Sequence, residues 1–380
     1  MNVRVLPILL TFFVMGVADA MGPLADAVQR QFQVSAVMAT LLTFFVFIAF
    51  AVFSVPGGLL ATRIGKRRLL LLGLALNALA VGVPAFTAPS FGLLLACIFA
   101  LGVGTTFLQV AGNPVMRDVS AEGAYAMNLT FAQGIKGVGS FSSTWLVGGL
   151  AALVPFAATL GWRGAFPLFF ALMVLALVSV ALVRVQETQA DVPPGLGDSL
   201  ALLKEPAFAL AVLGIFLYVG AEVCMARFLK PQLAAVGFSG DRTALFGPAF
   251  FFGTITVGRL VGSAVLRVLS ARAFFRLSAL LGAVGIGALL SGQAVLAVPG
   301  VVLAGLGFAN IWPLLFSLTV EARPERGAEL SGLMCMAISG GALVPLAMGR
   351  LADRGLGALA FGVPLACFAY LVLLAFRKEA

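Results

Sequence analysis

The sequence predicts an all-α membrane protein with twelve transmembrane helices in two pseudo-symmetric six-helix bundles. Hydrophobic residues make up 61% of the 380 residues, charged residues only 10%, and the mean hydropathy is +1.10. A soluble domain of this length needs a more polar surface, whereas a helix that crosses a bilayer needs about 20 consecutive apolar residues. The chain supplies such stretches almost continuously. We therefore expect most of its surface to face lipid.

Charge clusters and turn residues divide the chain into apolar spans. In chain order the predicted spans are 4–24, 36–61, 69–88, 91–114, 126–152, 164–184, 206–235, 244–268, 274–292, 295–318, 329–350 and 356–376. The most polar stretch lies around Pro193 and Pro194, between the sixth and seventh spans. It predicts an N-terminal six-helix bundle over 1–185, a cytoplasmic linker over 186–205 and a C-terminal six-helix bundle over 206–380.

The positive charges are distributed in a way that indicates topology. The net charge is +9, but the 24 lysines and arginines are scattered through the gaps between spans instead of forming a stripe, so no nucleic acid partner is expected. Most of them lie in one alternate set of loops and at the termini. The positive-inside rule then predicts a multi-pass protein of the cytoplasmic (inner) membrane with both termini cytoplasmic.

Residues that serve catalysis or metal binding are scarce. The chain has no histidine, and its four cysteines lie inside apolar spans without paired spacing, so neither a disulfide framework nor a metal site is indicated. Without a histidine, a cysteine–base pair or an acidic cluster, we do not expect an enzyme. No cofactor is predicted, and the phosphate-binding loop of ATP-driven pumps is missing. Proton chemistry would have to use carboxylates.

Ionisable side chains inside apolar spans are costly and usually line a transport pathway or pair with one another. Asp19 in the first span, Lys136 in the fifth and Glu222 in the seventh are therefore predicted to take part in proton coupling. Arg227 and Arg259 also lie within spans, near their ends. We interpret these two as structural ion pairs or as side chains that reach the membrane interface.

Polar uncharged residues complete a candidate binding site. Gln109 and Asn113 are four residues apart and share a helix face, as do Gln133 and Lys136, which are three apart. Asn310 precedes Trp312, and an amide beside an aromatic ring suits a sugar. The alternatives are amides that join helices and a tryptophan that anchors the span at the interface. The predicted substrate-binding residues are Gln109, Asn113, Gln133, Lys136, Glu222, Asn310 and Trp312.

A basic loop follows the second span. Its glycines permit close helix contact and its cations can pair with the dipoles of neighbouring helix ends, so the loop could act as a gate. The alternative is a plain cytoplasmic loop of the positive-inside type. A similar pattern of glycine and arginine recurs in the second half, from Gly258 onward. The predicted gating residues are Gly58, Arg63, Gly65, Lys66 and Arg67.

Three of these motifs resemble a known family. Residues 57–68 resemble the loop signature of the major facilitator superfamily, although Thr62 stands near the place of its usual aspartate. The run Phe-Leu-Gln-Val-Ala-Gly-Asn-Pro at 107–114 resembles the fourth-helix motif of the fucose/glucose/galactose symporter branch, and Tyr-Val-Gly-Ala-Glu at 218–222 resembles its seventh-helix motif. The resemblance implies a monomeric carrier with alternating access, whose helices 1, 4, 7 and 10 line the cavity.

The resemblance also implies sugar uptake driven by protons, with one departure. Gln109 stands where the fucose-type motif has a glutamate that takes part in proton coupling, and an amide cannot titrate. Either another acid carries the proton, Asp19 first by its position on the first helix and Glu222 second, or the coupling is different. Lys136 beside Asp19 could hold that carboxylate charged, or could instead form a site for an acidic sugar.

These observations together predict a secondary active transporter for a small solute, a sugar or a sugar acid, with protons as the coupled partner. The lipid bilayer is its other partner, and a monomer is expected. The alternative is a drug or metabolite exporter of the same fold, since the 33 phenylalanines could line an apolar cavity as readily as they face lipid. The polar faces of the fourth and fifth spans argue against an exporter.

Overall fold

The computed structural model describes residues 5–17, 21–188, 193–355 and 359–377. In these ranges the regular structure is helical throughout, with short 3₁₀ turns between some of the α-helices. The α-helices are α1 (Val5–Met15), α2 (Met21–Phe32), α3 (Ala36–Ile64), α4 (Lys66–Phe86), α5 (Phe91–Val119), α6 (Tyr125–Leu153), α7 (Pro155–Thr159), α8 (Phe166–Leu182), α9 (Leu196–Ala201), α10 (Pro206–Ala235), α11 (Asp241–Phe246), α12 (Pro248–Val265), α13 (Ala271–Leu290), α14 (Ala294–Ala322), α15 (Gly327–Met336), α16 (Gly340–Asp353) and α17 (Gly362–Phe376).

The predicted fold class is confirmed. Among the described residues, 10 helical stretches are long and apolar enough to cross a membrane, and they match predicted spans two to four and six to twelve. The first predicted span contains the apolar but short α1, and the fifth contains α6, which has 29 residues. The eleventh span is interrupted by a 3₁₀ turn at Ala337–Ser339, after which Gly340 packs against the backbone of Phe216 too closely for any side chain.

One compact unit comprises Met1–Glu122, Ile135–Ser199 and Pro324–Met336. In it α5 packs against α3 and α4, and α4 also packs against α8. The distant segment α15 lies against α3 and α5. Its contact with α3 depends on small residues, because a Cβ added at Gly58 would lie 2.8 Å from the carbonyl oxygen of Ala328. The predicted gating glycine therefore lies at a close helix crossing.

Helices α1 and α6 touch through glycine in the same unit. A Cβ added at Gly139 would overlap the carbonyl oxygen of Phe13, and one at Gly16 would overlap the backbone of Ser140. The hydroxyl of Ser143 donates a hydrogen bond of 3.2 Å to the carbonyl oxygen of Gly16. This contact fixes the part of α6 that carries Lys136.

We expect Gly139→Ala to destabilise the protein by about 1–3 kcal/mol, because the added methyl group must push α1 and α6 apart. The measurement is the melting temperature of the detergent-purified protein. Gly253→Ala in α12 is the control, since a Cβ there meets no atom within 4 Å. We expect the control to have the melting temperature of the parent protein. Equal melting temperatures for the two variants would contradict the close contact between α1 and α6.

The other compact unit comprises Gly123–Gly134, Leu200–Arg323 and Ala337–Ala380. Helix α14 packs against α12 and α13, and α10 packs against α14, α16 and α17. The ring of Phe308 on α14 is central, with its centroid 5.2 Å from that of Phe251, 4.4 Å from that of Phe368 and 5.7 Å from that of Tyr218. This aromatic cluster positions Tyr218, whose hydroxyl group belongs to the site described next.

Candidate functional site

In the first compact unit the polar faces of α5 and α6 meet at Lys136. Its Nζ donates a hydrogen bond of 3.3 Å to Oε1 of Gln109, whose side chain is only 2% exposed. Asn113 lies one turn further along α5 and is fully buried. The structure thus brings together the predicted residues of the fourth span and Lys136. Their sequence spacing predicted this arrangement, since residues four apart share a helix face.

Lys136 is half-buried. No carboxylate in the described ranges forms an ion pair with it. Asp19, which we predicted as a coupling residue beside Lys136, lies outside the described residues. Gln109 is a neutral acceptor, and its hydrogen bond with Lys136 uses one of the three donors of the ammonium group.

A second cluster joins α10 and α12 in the other compact unit. The hydroxyl group of Tyr218 donates to Oε1 of Glu222 at 3.2 Å and accepts a hydrogen bond from Nη2 of Arg259 at 3.3 Å. The same Nη2 lies 3.8 Å from the Glu222 oxygen. Tyr218 and Glu222 are four residues apart and so share a face of α10. The three side chains form a hydrogen-bonded row that ends on a carboxylate.

Arg259 is held on several sides. Its Nε donates to the carbonyl oxygen of Ala309 at 3.0 Å, and its Nη1 lies 3.5 Å from the carbonyl oxygen of Gln133. Its side chain is 12% exposed. The interpretation as a structural ion pair therefore describes Arg259 better than a side chain that reaches the membrane interface. Arg227, which we interpreted in the same way, has an exposed side chain.

The remaining predicted binding residues lie in the same unit as Glu222. The side chain of Gln133 is buried, and its backbone contacts Arg259 as described. Asn310 donates from Nδ2 to the carbonyl oxygen of Gly258 at 3.3 Å, and a Cβ at Gly262 would overlap its amide group. Asn310 thus lies in the interface between α12 and α14, as the interhelical alternative predicts.

Trp312 is buried next to Phe316, with ring centroids 5.8 Å apart. Its indole Nε1 is buried and has no hydrogen-bond partner among the described residues. The burial disfavours the alternative of a lipid-facing anchor. A buried indole N–H without a partner is costly, so the position suits an acceptor that arrives with a ligand.

The predicted gating loop is tied to the fourth span by a buried ion pair. Helix α3 ends at Ile64, and Gly65 has φ of +95°, a conformation that favours glycine. Lys66 then begins α4, and its buried ammonium group pairs with the carboxylate of Asp118 on α5. Sequence reasoning missed Asp118, although an acid four residues beyond the predicted fourth span, near a basic loop, was an available signal.

The start of the linker also contacts the predicted gating loop. The carboxylate of Glu187 accepts hydrogen bonds from the backbone N–H groups of Lys66 and Arg67, at 2.5 Å and 3.0 Å. It caps the start of α4, where free N–H groups and the helix dipole favour an anion. The Nζ of Lys66 also donates to the carbonyl oxygen of Thr188 at 2.8 Å. No sequence signal identified Glu187, because its partners are distant along the chain.

A second part of the linker is fastened to α15. The hydroxyl of Ser199 donates to Oε1 of Glu329 at 2.7 Å, and Arg326 donates to both oxygens of the same carboxylate. Ser331 on α15 donates to the carbonyl oxygen of Val110 on α5 at 2.7 Å. These buried polar contacts hold α15 beside the segment that carries Gln109.

The described ranges offer few side chains that could serve catalysis or metal binding. No group of three or more His, Cys, Asp or Glu side chains there is placed to hold a metal ion. The four cysteines are buried and free. Each of the two clusters offers hydrogen-bond donors and acceptors, the chemistry that a polar solute needs.

Comparisons with known proteins place the chain in a family. The family model for the Major Facilitator Superfamily matches residues 8–345. The glucose/galactose transporter of Brucella abortus is 31% identical over 95% of this chain and 90% of its own length. The L-fucose-proton symporter of Escherichia coli K12 is 23% identical over 97% of this chain and 91% of its own length.

Solved structures agree on the fold. A crystal structure of the transporter FucP in the outward conformation superimposes with a TM-score of 0.86 at 18% identity, covering 100% of this chain and 99% of the other. At that identity the likeness concerns the fold alone. The family resemblance seen in the loop and helix motifs is confirmed by the family match and the relatives. The chain belongs to the Major Facilitator Superfamily.

Proposed function

We propose that this protein is a secondary active transporter that carries a hexose together with protons by alternating access. The observation on which the proposal rests is that charged side chains inside the helix bundles have polar partners: Lys136 is hydrogen-bonded to Gln109, and Glu222 is ion-paired with Arg259. A charge costs several kcal/mol in hydrocarbon, so such residues are typical of positions where a solute or a proton binds.

A hexose is favoured by both chemistry and similarity. Amide, hydroxyl and ammonium groups match the alternating donors and acceptors of sugar hydroxyls. The relatives are named as transporters of glucose and galactose or of fucose. We propose that the substrate contacts come from Gln109, Asn113, Gln133, Lys136, Glu222, Asn310 and Trp312.

We assign the binding of the coupled proton to a carboxylate side chain. Glu222 is the acid of the second cluster, and its hydrogen bond with Tyr218 and ion pair with Arg259 give it partners that can respond to its protonation. Asp19 remains the other candidate, with Lys136 as the cation whose partner would change during the cycle. The gating residues are Gly58, Arg63, Gly65, Lys66 and Arg67.

The proposed arrangement in the cell follows the distribution of charge. We place the protein in the cytoplasmic (inner) membrane as a monomer, with both termini and the linker 186–205 in the cytoplasm. The bundles 1–185 and 206–380 are the two transport halves. The basic loop before α4 then faces the cytoplasm.

The proposal is tested by uptake of radiolabelled glucose, galactose, fucose and glucuronate into proteoliposomes, with and without an inward proton gradient. We expect a neutral hexose to accumulate about tenfold per pH unit if one proton is coupled, because one pH unit corresponds to about 1.4 kcal/mol. An uncoupler should abolish the accumulation. Equal uptake with and without the proton gradient would contradict proton coupling. Uptake of glucuronate alone would contradict a neutral hexose as the substrate.

A further inference from the structure

The basic loop between α3 and α4 borders a cavity of about 710 Å³ within the first compact unit. Four arginines line it, Arg63, Arg67, Arg68 and Arg184. Glu187 is the one acid among the described residues that line the cavity. The wall therefore carries a clear excess of positive charge.

One carboxylate can offset only one of these four positive charges. The Glu187 carboxylate is occupied by the backbone N–H groups of Lys66 and Arg67. None of the four guanidinium groups forms an ion pair within the described ranges. Arg67 donates from Nη2 to the carbonyl oxygen of Ala181 at 2.7 Å, but its Nε–H is buried and has no partner among the described residues. Like charges at this proximity favour a bound anion.

An exposed apolar strip leads away from the cavity along α8. Leu175, Val178 and Leu182 are 54%, 49% and 80% exposed. Their spacing of three and four residues puts them on one face of the helix. Arg184, which lines the cavity, follows Leu182 by two residues. A ligand bound here can place an anionic group on the arginines and an apolar chain on α8.

Three membrane-length helices end or begin at the cavity, α3 at Ile64, α4 at Lys66 and α8 at Leu182. The cavity thus lies where hydrocarbon gives way to headgroups, on the side that the charge distribution predicts to be cytoplasmic. We propose that it binds the headgroup phosphate of an anionic phospholipid from the cytoplasmic leaflet, with an acyl chain along α8. Arginine binds phosphate oxygens in a bidentate manner, and basic pockets at this depth suit lipid headgroups.

This inference goes beyond the proposed transport and uses only the proposed membrane placement. Its test is native mass spectrometry of the full-length protein in a neutral detergent, titrated with phosphatidylglycerol. We expect the double variant Arg68→Gln with Arg184→Gln to bind the first lipid about 25-fold more weakly, since each cation near the surface contributes about a factor of five. Arg184→Gln alone should give about a fivefold loss.

The matched control also removes two positive charges, but at positions outside the cavity. Lys204→Gln with Arg267→Gln changes two exposed cations that we also predict to be cytoplasmic, neither of which lines the cavity. We expect this control to bind phosphatidylglycerol as the parent does, and all variants to bind phosphatidylcholine alike. Equal loss of phosphatidylglycerol in the test and control variants would overturn the site.

A second arm separates a lipid from a soluble phosphate compound. Glycerol 3-phosphate and inorganic phosphate present the same phosphate chemistry without acyl chains. We expect neither to displace the first phosphatidylglycerol at equal concentration. Displacement at equal concentration would overturn the assignment to a lipid and indicate a soluble anion as the ligand.

Discussion

Glu222→Gln is expected to abolish the accumulation of sugar against its gradient while leaving exchange between equal sugar concentrations in place. The amide has the shape of the carboxylate and can still accept the hydrogen bond from Tyr218, but it cannot take up a proton or form an ion pair with Arg259. A gradient of one pH unit should then yield an accumulation ratio of about one, in place of about ten for one coupled proton.

The measurement compares gradient-driven uptake and counterflow in the same proteoliposomes. Glu205→Gln is the control, because Glu205 pairs with Arg323 at 2.8 Å and the two side chains are 42% and 40% exposed to solvent. It should accumulate sugar as the parent does. If Glu222→Gln also does so, the proton is carried elsewhere, with Asp19 the next residue to change.

Lys136→Ala is expected to weaken sugar binding by about tenfold or more. A hydrogen bond from a charged donor is worth about 1.5–3 kcal/mol, and the truncation also leaves Oε1 of Gln109 buried without its partner. The measurement is the dissociation constant of the transported hexose with purified protein, followed by the KM of uptake. Lys136→Arg, which keeps the charge and the donors, should retain part of the affinity.

Lys230→Ala is the matched control for this change. Lys230 also lies on a membrane-length helix, α10, but its side chain is exposed. We expect it to bind and transport sugar as the parent does. A Lys136→Ala variant with the affinity of the parent would remove Lys136 from the substrate site and leave it a role in packing alone.

The helices and the pairing in the first cluster could be predicted because they depend on local patterns. Apolar runs of sufficient length predicted the spans, and a spacing of four placed Gln109 and Asn113 on one face of α5. Even α6, which falls short of the apolar criterion in the described residues, was predicted from its length between turn signals.

Contacts between distant helices could not be predicted in this way. Arg259 lies near the end of its span and was interpreted as structural or interfacial, whereas its partners are determined by how α10, α12 and α14 pack. The residues beside Asn310 in the sequence do not show that the close approach allowed by Gly262 brings its amide against α12. Single-sequence periodicity identifies the exposed or buried face of a helix, and it does not identify which helix lies opposite.

The cap on α4 has a consequence for biosynthesis. The carboxylate of Glu187 lies 121 residues beyond the N–H group of Lys66 that it binds. Each span can enter the membrane as the ribosome delivers it, but the first turn of α4 lacks this carboxylate as a partner until the chain has been made as far as the linker. Severing the gene after codon 185 would leave the N-terminal bundle without this cap, so a fragment that ends at residue 188 should assemble better than one that ends at 185.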